Sequence, residues 1–203
     1  MKIGISINEV LRDFIGQFAH TYDKYIGPTN LTSQDITSFD LIDHFTFDSV
    51  DKLNSFLYLE APLEIFGHAD QLHDGLINHL NEFLSEMDYE GEHEIEIVSR
   101  EVNKAIPSTL FFLSKTGSRV TNIRFVKKHE SEWDGLDVLI TANPKALAAK
   151  PDGKISVKIN APYNKDSSSD YQLENILEFF RDEELRSKIL KPIITTTYEE
   201  LKW

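Results

Sequence analysis

The chain has 203 residues and 34 acidic side chains against 21 basic ones, a formal charge of −13. At roughly 150 residues per domain, the length fits one domain with an insertion. The acidic balance argues against grip on nucleic acid by phosphate neutralisation and against docking on an anionic membrane, since the densest basic cluster is only Lys127-Lys128. There is no cysteine, so disulfides, thiolate zinc sites and thiol nucleophiles are excluded. No apolar run approaches the roughly 20 residues of a membrane span, and the start, Met1-Lys2-Ile3-Gly4-Ile5, is strand-like, without the apolar core of a signal peptide. A hydrophobic content of 40% with 13 Phe supports a packed core.

Residues 3–7 read as a short buried strand. Val10, Phe14, Phe18, Tyr22 and Tyr25 follow at helical spacing, and Gly27-Pro28 ends that helix. Residues 28–48 hold turn formers without a period. Residues 49–59 return to helix, with Val50, Leu53, Phe56 and Leu57 on one side, until Pro62 breaks it. Leu72, Leu76, Leu80, Phe83, Leu84 and Met87 predict a helix over 70–87. A strand is expected at 94–99 and a helix at 103–116, with Pro107 early and Gly117 just past its end. Strands follow at 121–126, 137–141 and 155–159. A helix is expected over 171–181, striped by Leu173, Ile176, Leu177 and Phe180, and a shorter one to about Leu190.

Strands separated by helices predict an α/β fold, a doubly wound and mostly parallel sheet covered on both faces, with a helical cap inserted after the first strand–helix unit. The expected division is a core of 1–19 and 91–190, a cap of 20–90, and a β-prone tail of 191–203. In such sheets the crevice lies at the carboxyl ends of the strands. That directs attention to residues 6–9, 99–101, 127–128 and 141–144.

Those positions carry a family resemblance. Ile3-Gly4-Ile5-Ser6-Ile7-Asn8-Glu9-Val10-Leu11 resembles the first motif of haloacid dehalogenase-like (HAD) phosphohydrolases, an apolar strand with Asp-x-Asp opening a helix. Ser99, ending Ile97-Val98-Ser99, resembles the second motif. Lys127 or Lys128 stands for the third motif's lysine, and Asp137-Val138-Leu139-Ile140-Thr141-Ala142-Asn143-Pro144 for the fourth. The layout is similar to the capped, 5′-nucleotidase-like subgroup. The resemblance implies a HAD-like, Rossmannoid core and a pocket built from Ser6, Asn8, Ser99, Lys128, Thr141, Ala142 and Asn143.

In active members the first Asp attacks phosphorus, the second protonates the leaving group, and the fourth motif's carboxylate joins the first in holding Mg²⁺. Ser6, Asn8 and Thr141-Ala142 stand at those places. A serine without an adjacent base is a poor nucleophile, an amide has no proton to give, and neutral groups do not replace the carboxylates of a Mg²⁺ site. Glu9 follows the first strand directly and is within reach of the pocket, whereas Asp137 starts its strand and belongs at the opposite end. Ser99-Arg100 with Lys127-Lys128 could cradle an anion.

Other features read plainly. His68, His73 and His79 lack helical ligand spacing, and His20, His44, His93 and His129 are scattered, so no metal or other cofactor is expected. The run Glu90-Gly91-Glu92-His93-Glu94-Ile95-Glu96 suits a solvated turn and the outer face of an edge strand. The tail through Trp203 suits an added edge strand or an arm for a neighbouring subunit. Phe39, Phe45, Phe47, Phe56, Tyr58 and Phe66 make the cap aromatic, as core or as interface.

Together these features predict a non-catalytic pseudoenzyme used for assembly, a homo-oligomer or ring with other protein subunits. Weakened nucleotidase-like chains occur among tailed-phage gene products. Similarity to those in the first motif and in Thr141-Ala142-Asn143-Pro144 suggests a virion component, a tail or neck ring subunit of a crAss-like phage; otherwise the chain is cytoplasmic. The alternative is a phosphohydrolase or nucleotide-binding protein of the 5′-nucleotidase type with an altered site.

Overall fold

A computed structural model of the chain describes residues 1–90 and 93–190. Six strands, β1 (Lys2–Ser6), β2 (Glu94–Ser99), β3 (Ile123–Phe125), β4 (Val138–Thr141), β5 (Ile155–Ile159) and β6 (Tyr171–Leu173), form one sheet in the order β3-β2-β1-β4-β5-β6. Every neighbouring pair is parallel. Parallel strands need crossovers, and α1 (Phe14–Tyr25), α2 (Val50–Ser55), α3 (Leu76–Glu90), α4 (Ala105–Lys115), α5 (Pro144–Ala148), α6 (Ile176–Arg181) and α7 (Glu183–Leu190) lie among them. β1 is central, so its side chains meet protein on both faces. A Cβ on Gly4 would come within 2.2 Å of Leu136 Cδ1, which is why the strand carries a glycine there.

Two apolar clusters flank the crevice. The larger joins Ile3, Ile5 and Ile97 of the sheet to Leu76, Leu80, Phe83 and Met87 of α3 and to Phe179 of α6. The second runs from Ile15 to Phe66 and takes in Ala105. Phe18 is its centre, edge-on to Phe45 at 4.7 Å and to Phe56 at 6.0 Å. By packing, therefore, α3 belongs with the sheet, although it falls within the 20–90 stretch read as cap. No helix among the described residues is long and apolar enough to cross a membrane.

Several sequence expectations shift. The first helix starts at Phe14, not Val10. Asp13 caps it by accepting from the Gly16 N–H at 2.9 Å, while Val10 and Leu11 are buried in the preceding turn. Helix α3 begins only at Leu76, after Gly75 in a left-handed conformation. Pro62 does not end the cap's helical path, because π-helical turns flank it at Phe56–Glu60 and Leu63–Gly67, and proline is tolerated where its missing N–H has no helical partner. Residues 171–173 are strand rather than helix. The Asp170 carboxylate accepts from the Ser156 N–H at 2.7 Å and pins Tyr171–Leu173 beside β5, and Asn175 then caps α6. β2 is an inner strand, not an edge: Glu96 is buried and pairs with Arg124 at 3.0 Å. Gly91 and Glu92 of the acidic run, and the tail 191–203, lie outside the described residues.

Candidate functional site

The carboxyl ends of β1, β2 and β4 open into a cavity of about 510 Å³ roofed by the aromatic cap. Ser6 ends β1 and Asn8 and Glu9 follow it, Ser99 ends β2 and Arg100 and Glu101 follow it, and Thr141 ends β4, with Asn143 capping α5 just beyond. Phe14, Phe39, Tyr58 and Phe66 supply cap-side walls, and Tyr163 closes a flank. A polar floor under an apolar roof is the usual build of a small-molecule site.

Beneath Ser6 the strand ends are tied together. Ser6 Oγ donates to Thr141 Oγ1 at 2.9 Å and lies 3.5 Å from Glu132 Oε2. The other Glu132 oxygen accepts from Asn143 Nδ2 at 2.7 Å, and the same amide nitrogen lies 2.9 Å from His129 Nδ1. Arg100 Nε stands 3.9 Å from Glu132 and has no hydrogen-bond partner, and buried Ser99 Oγ has none either.

On the other side of Asn8 sits a second network. Arg12 is fully buried, donating to Glu101 Oε1 at 2.6 Å, to Asn8 Oδ1 at 2.5 Å, to Thr109 Oγ1 at 2.9 Å and to the Phe66 carbonyl at 3.0 Å. Asn8 Nδ2 also donates to Glu101 Oε1, at 2.9 Å. Asn8 thus bridges the arginine and the glutamate.

Glu9 follows with φ 57°, a left-handed conformation uncommon for a residue with a Cβ. That turn brings its carboxyl to the cavity, where Oε1 accepts from the Ile15 N–H at 2.8 Å. Burial raises its pKa from 4.5 to about 7, opposed by that hydrogen bond and assisted by Asp13. A carboxyl poised near neutrality in a cleft can both give and take a proton.

The positions expected from sequence divide. Ser6, Asn8, Ser99, Thr141 and Asn143 line the cavity. Lys128 does not: with Lys127 it is exposed, because β3 ends at Phe125 and the chain turns outward. Ala142 is packed in the main core, its carbonyl bonded by Asn164 Nδ2, so it offers the cavity nothing. Asp137 lies at the far end of the sheet, bonded to the Lys2 N–H and Lys154. Glu101, Glu132 and His129 were missed as site residues. Glu132 comes from a 3₁₀ turn, Glu130–Trp133, whose only sequence signal is an acid beside a buried tryptophan.

The fold's usual Mg²⁺ would need carboxylates here. Ser6 and Thr141 are neutral and bonded to each other, and Glu132 is engaged at both oxygens. Among the described residues no three His, Asp or Glu side chains converge to hold a metal. The donor set does not fit the ion.

No family model matches the chain, and no curated protein matches it. Solved structures do. A haloacid dehalogenase-like hydrolase from Burkholderia xenovorans LB400 superposes with a TM-score of 0.59 at 13% identity, over 91% of this chain and 96% of that one. A HAD family hydrolase from Deinococcus radiodurans R1, solved with bound phosphate and sodium, gives 0.59 at 13% identity, over 94% and 97%. The fold is HAD-like. The expectation of a pseudoenzyme is overturned: the neighbours that share this HAD-like scaffold are hydrolases, and loss of the motif carboxylates does not empty the site of acids. Glu9, Glu101 and Glu132 stand around the neutral positions.

Proposed function

We propose that the chain is a phosphomonoester hydrolase with a rebuilt HAD-like site. The observation that carries this is the pair of unpartnered donors, Ser99 Oγ and Arg100 Nε, at one strand end of the cavity beside Ser6. They suit phosphoryl oxygens, and the Deinococcus neighbour holds a phosphate. In this reading a water oxygen bonds to phosphorus as the ester P–O bond breaks. Glu9, as a neutral acid, gives its proton to the leaving oxygen, and Glu132 takes the proton from water. The products are an alcohol and inorganic phosphate.

The test is phosphate release from p-nitrophenyl phosphate and nucleoside monophosphates, with Mg²⁺ and with EDTA. Turnover that survives EDTA and falls about 100-fold in Glu9→Gln is expected. Binding of a nucleoside monophosphate without release would leave a nucleotide-binding pocket and remove the hydrolase.

A second reading, a homo-oligomeric or ring subunit, draws on one observation. Leu59, Leu63, Leu110 and Phe111 are exposed on the packed layer of π-helical turns and α4. Sedimentation of the full chain tests it, and a monomer at high concentration would remove homo-oligomerisation.

A further inference from the structure

The cavity's charges do not suit an anion alone. Glu9, Glu101, Glu132, Asp40 and Asp43 line it, against Arg100 and Lys145, with Arg12 paired to Glu101 behind the wall. Lys145 is already held by Asp40 at 2.6 Å, and Arg100 leans toward Glu132. Two of the acids face aromatic side chains. Burial and then the Glu101 charge push the Tyr58 hydroxyl up, with Arg100 opposing. Burial and then Glu9 do the same to Tyr163. Tyr58 stacks on Phe66 at 6.0 Å and Phe66 on Phe14 at 5.4 Å, so an aromatic column runs along this wall.

Glu101 itself is incompletely bonded. It is 2% exposed, Arg12 and Asn8 both use Oε1, and Oε2 has no hydrogen-bond partner although the residue lines the cavity. A buried carboxylate oxygen without a donor is costly and calls for one from a ligand.

We propose that the corner formed by Glu101, Tyr58, Phe66 and Phe14 is a subsite for an alkylammonium group, whose N–H donates to Glu101 Oε2. Tyr58, at the end of that column, attracts the cation through its ring. Arg100, on the neighbouring position, keeps the ammonium on the Glu101 side and leaves its own side for an anion. The ligand class is therefore zwitterionic, an amine joined to an anionic group. This extends the phosphomonoester reading by naming the ligand's body, but its test uses no phosphate.

The experiment is an NMR titration of the full chain with butylammonium, with 1-butanol as its uncharged counterpart and with tetramethylammonium as a cation lacking N–H. Butylammonium is expected to bind about tenfold tighter than either, with shifts at Tyr58 and Glu101. Tyr58→Leu, which leaves the Arg12 pair intact, should weaken butylammonium and leave 1-butanol unchanged. Equal binding of butylammonium and 1-butanol, or no saturable butylammonium binding, overturns the subsite. Tetramethylammonium binding as tightly as butylammonium overturns the N–H donation. Ammonium binding without phosphate release removes the hydrolase alone, and phosphate release without ammonium preference removes this subsite alone.

Discussion

Arg12 and Glu101 form a salt bridge of 2.6 Å with side chains 0% and 2% exposed. It joins the turn after β1 to the end of β2. Through Thr109 and the Phe66 carbonyl it also reaches α4 and the second π-helical turn. The guanidinium lies 5.1 Å from the Phe66 ring centre and 5.3 Å from that of Phe112. One buried cation thus holds cap, crossover helix and sheet in register above the cavity floor.

Removing either partner leaves the other charge buried and unpaired. Arg12→Met and Glu101→Leu are each expected to cost about 3–5 kcal/mol, and the double variant much less than the sum. Urea unfolding of the four proteins measures this. Additive losses would mean that the two charges are not coupled.

The pH dependence of stability should carry the signature of Glu9. Asp13, Arg12 and the N–H groups of Phe14 and Ile15 face its carboxyl, and Tyr163 feels its charge. Because its pKa is raised from 4.5 to about 7, the folded protein binds more protons than the unfolded chain in that interval. Its stabilising contribution is complete below pH 4.5 and falls as pH rises to about 7, by up to about 3 kcal/mol. Glu9→Gln should flatten that slope in urea titrations run across the interval. An unchanged slope would mean that the carboxyl titrates normally.

The sheet was legible in the sequence because buried strands are short and rich in β-branched apolar residues: Val138–Ile140 is a continuous apolar run, and Ile3–Ile7 and Ile155–Ile159 place Ile or Val at every second position. Tyr171–Leu173 was not, since three residues ahead of an amphipathic helix share its stripe. Only the Asp170 bonds to Ser156 separate them. The strand-end rule led to Ser6, Asn8, Ser99, Thr141 and Asn143. It could not lead to Glu132, which arrives from a turn 126 positions from Ser6, nor to the role of Glu101, which depends on a partner 89 positions away. Lys128 was misplaced because β3 is only three residues long and the chain leaves the sheet early.

Gly4 offers a packing test. Its missing Cβ makes room for Leu136, itself fully buried beside Val98 and Leu139. Gly4→Ala should cost about 1–3 kcal/mol by displacing that side chain. Thermal unfolding reads it, and a stabilised variant would show that Leu136 has another rotamer to occupy.

Glu132 separates binding from chemistry. Its charge stands 3.5 Å from Ser6 and 3.9 Å from Arg100, where it opposes an incoming anion and offsets the guanidinium's charge. Glu132→Gln keeps an acceptor for Asn143 and removes the charge. Inorganic phosphate should then bind about tenfold tighter, since a full charge at this range is worth more than 1 kcal/mol even when partly screened. The same variant removes the group assigned to take the proton from water, so kcat should fall while KM improves. Calorimetry with phosphate and steady-state kinetics with p-nitrophenyl phosphate give the two numbers independently. If kcat and KM both stay unchanged, Glu132 is a scaffold residue. If phosphate binding weakens, its bond to Asn143 matters more than its charge.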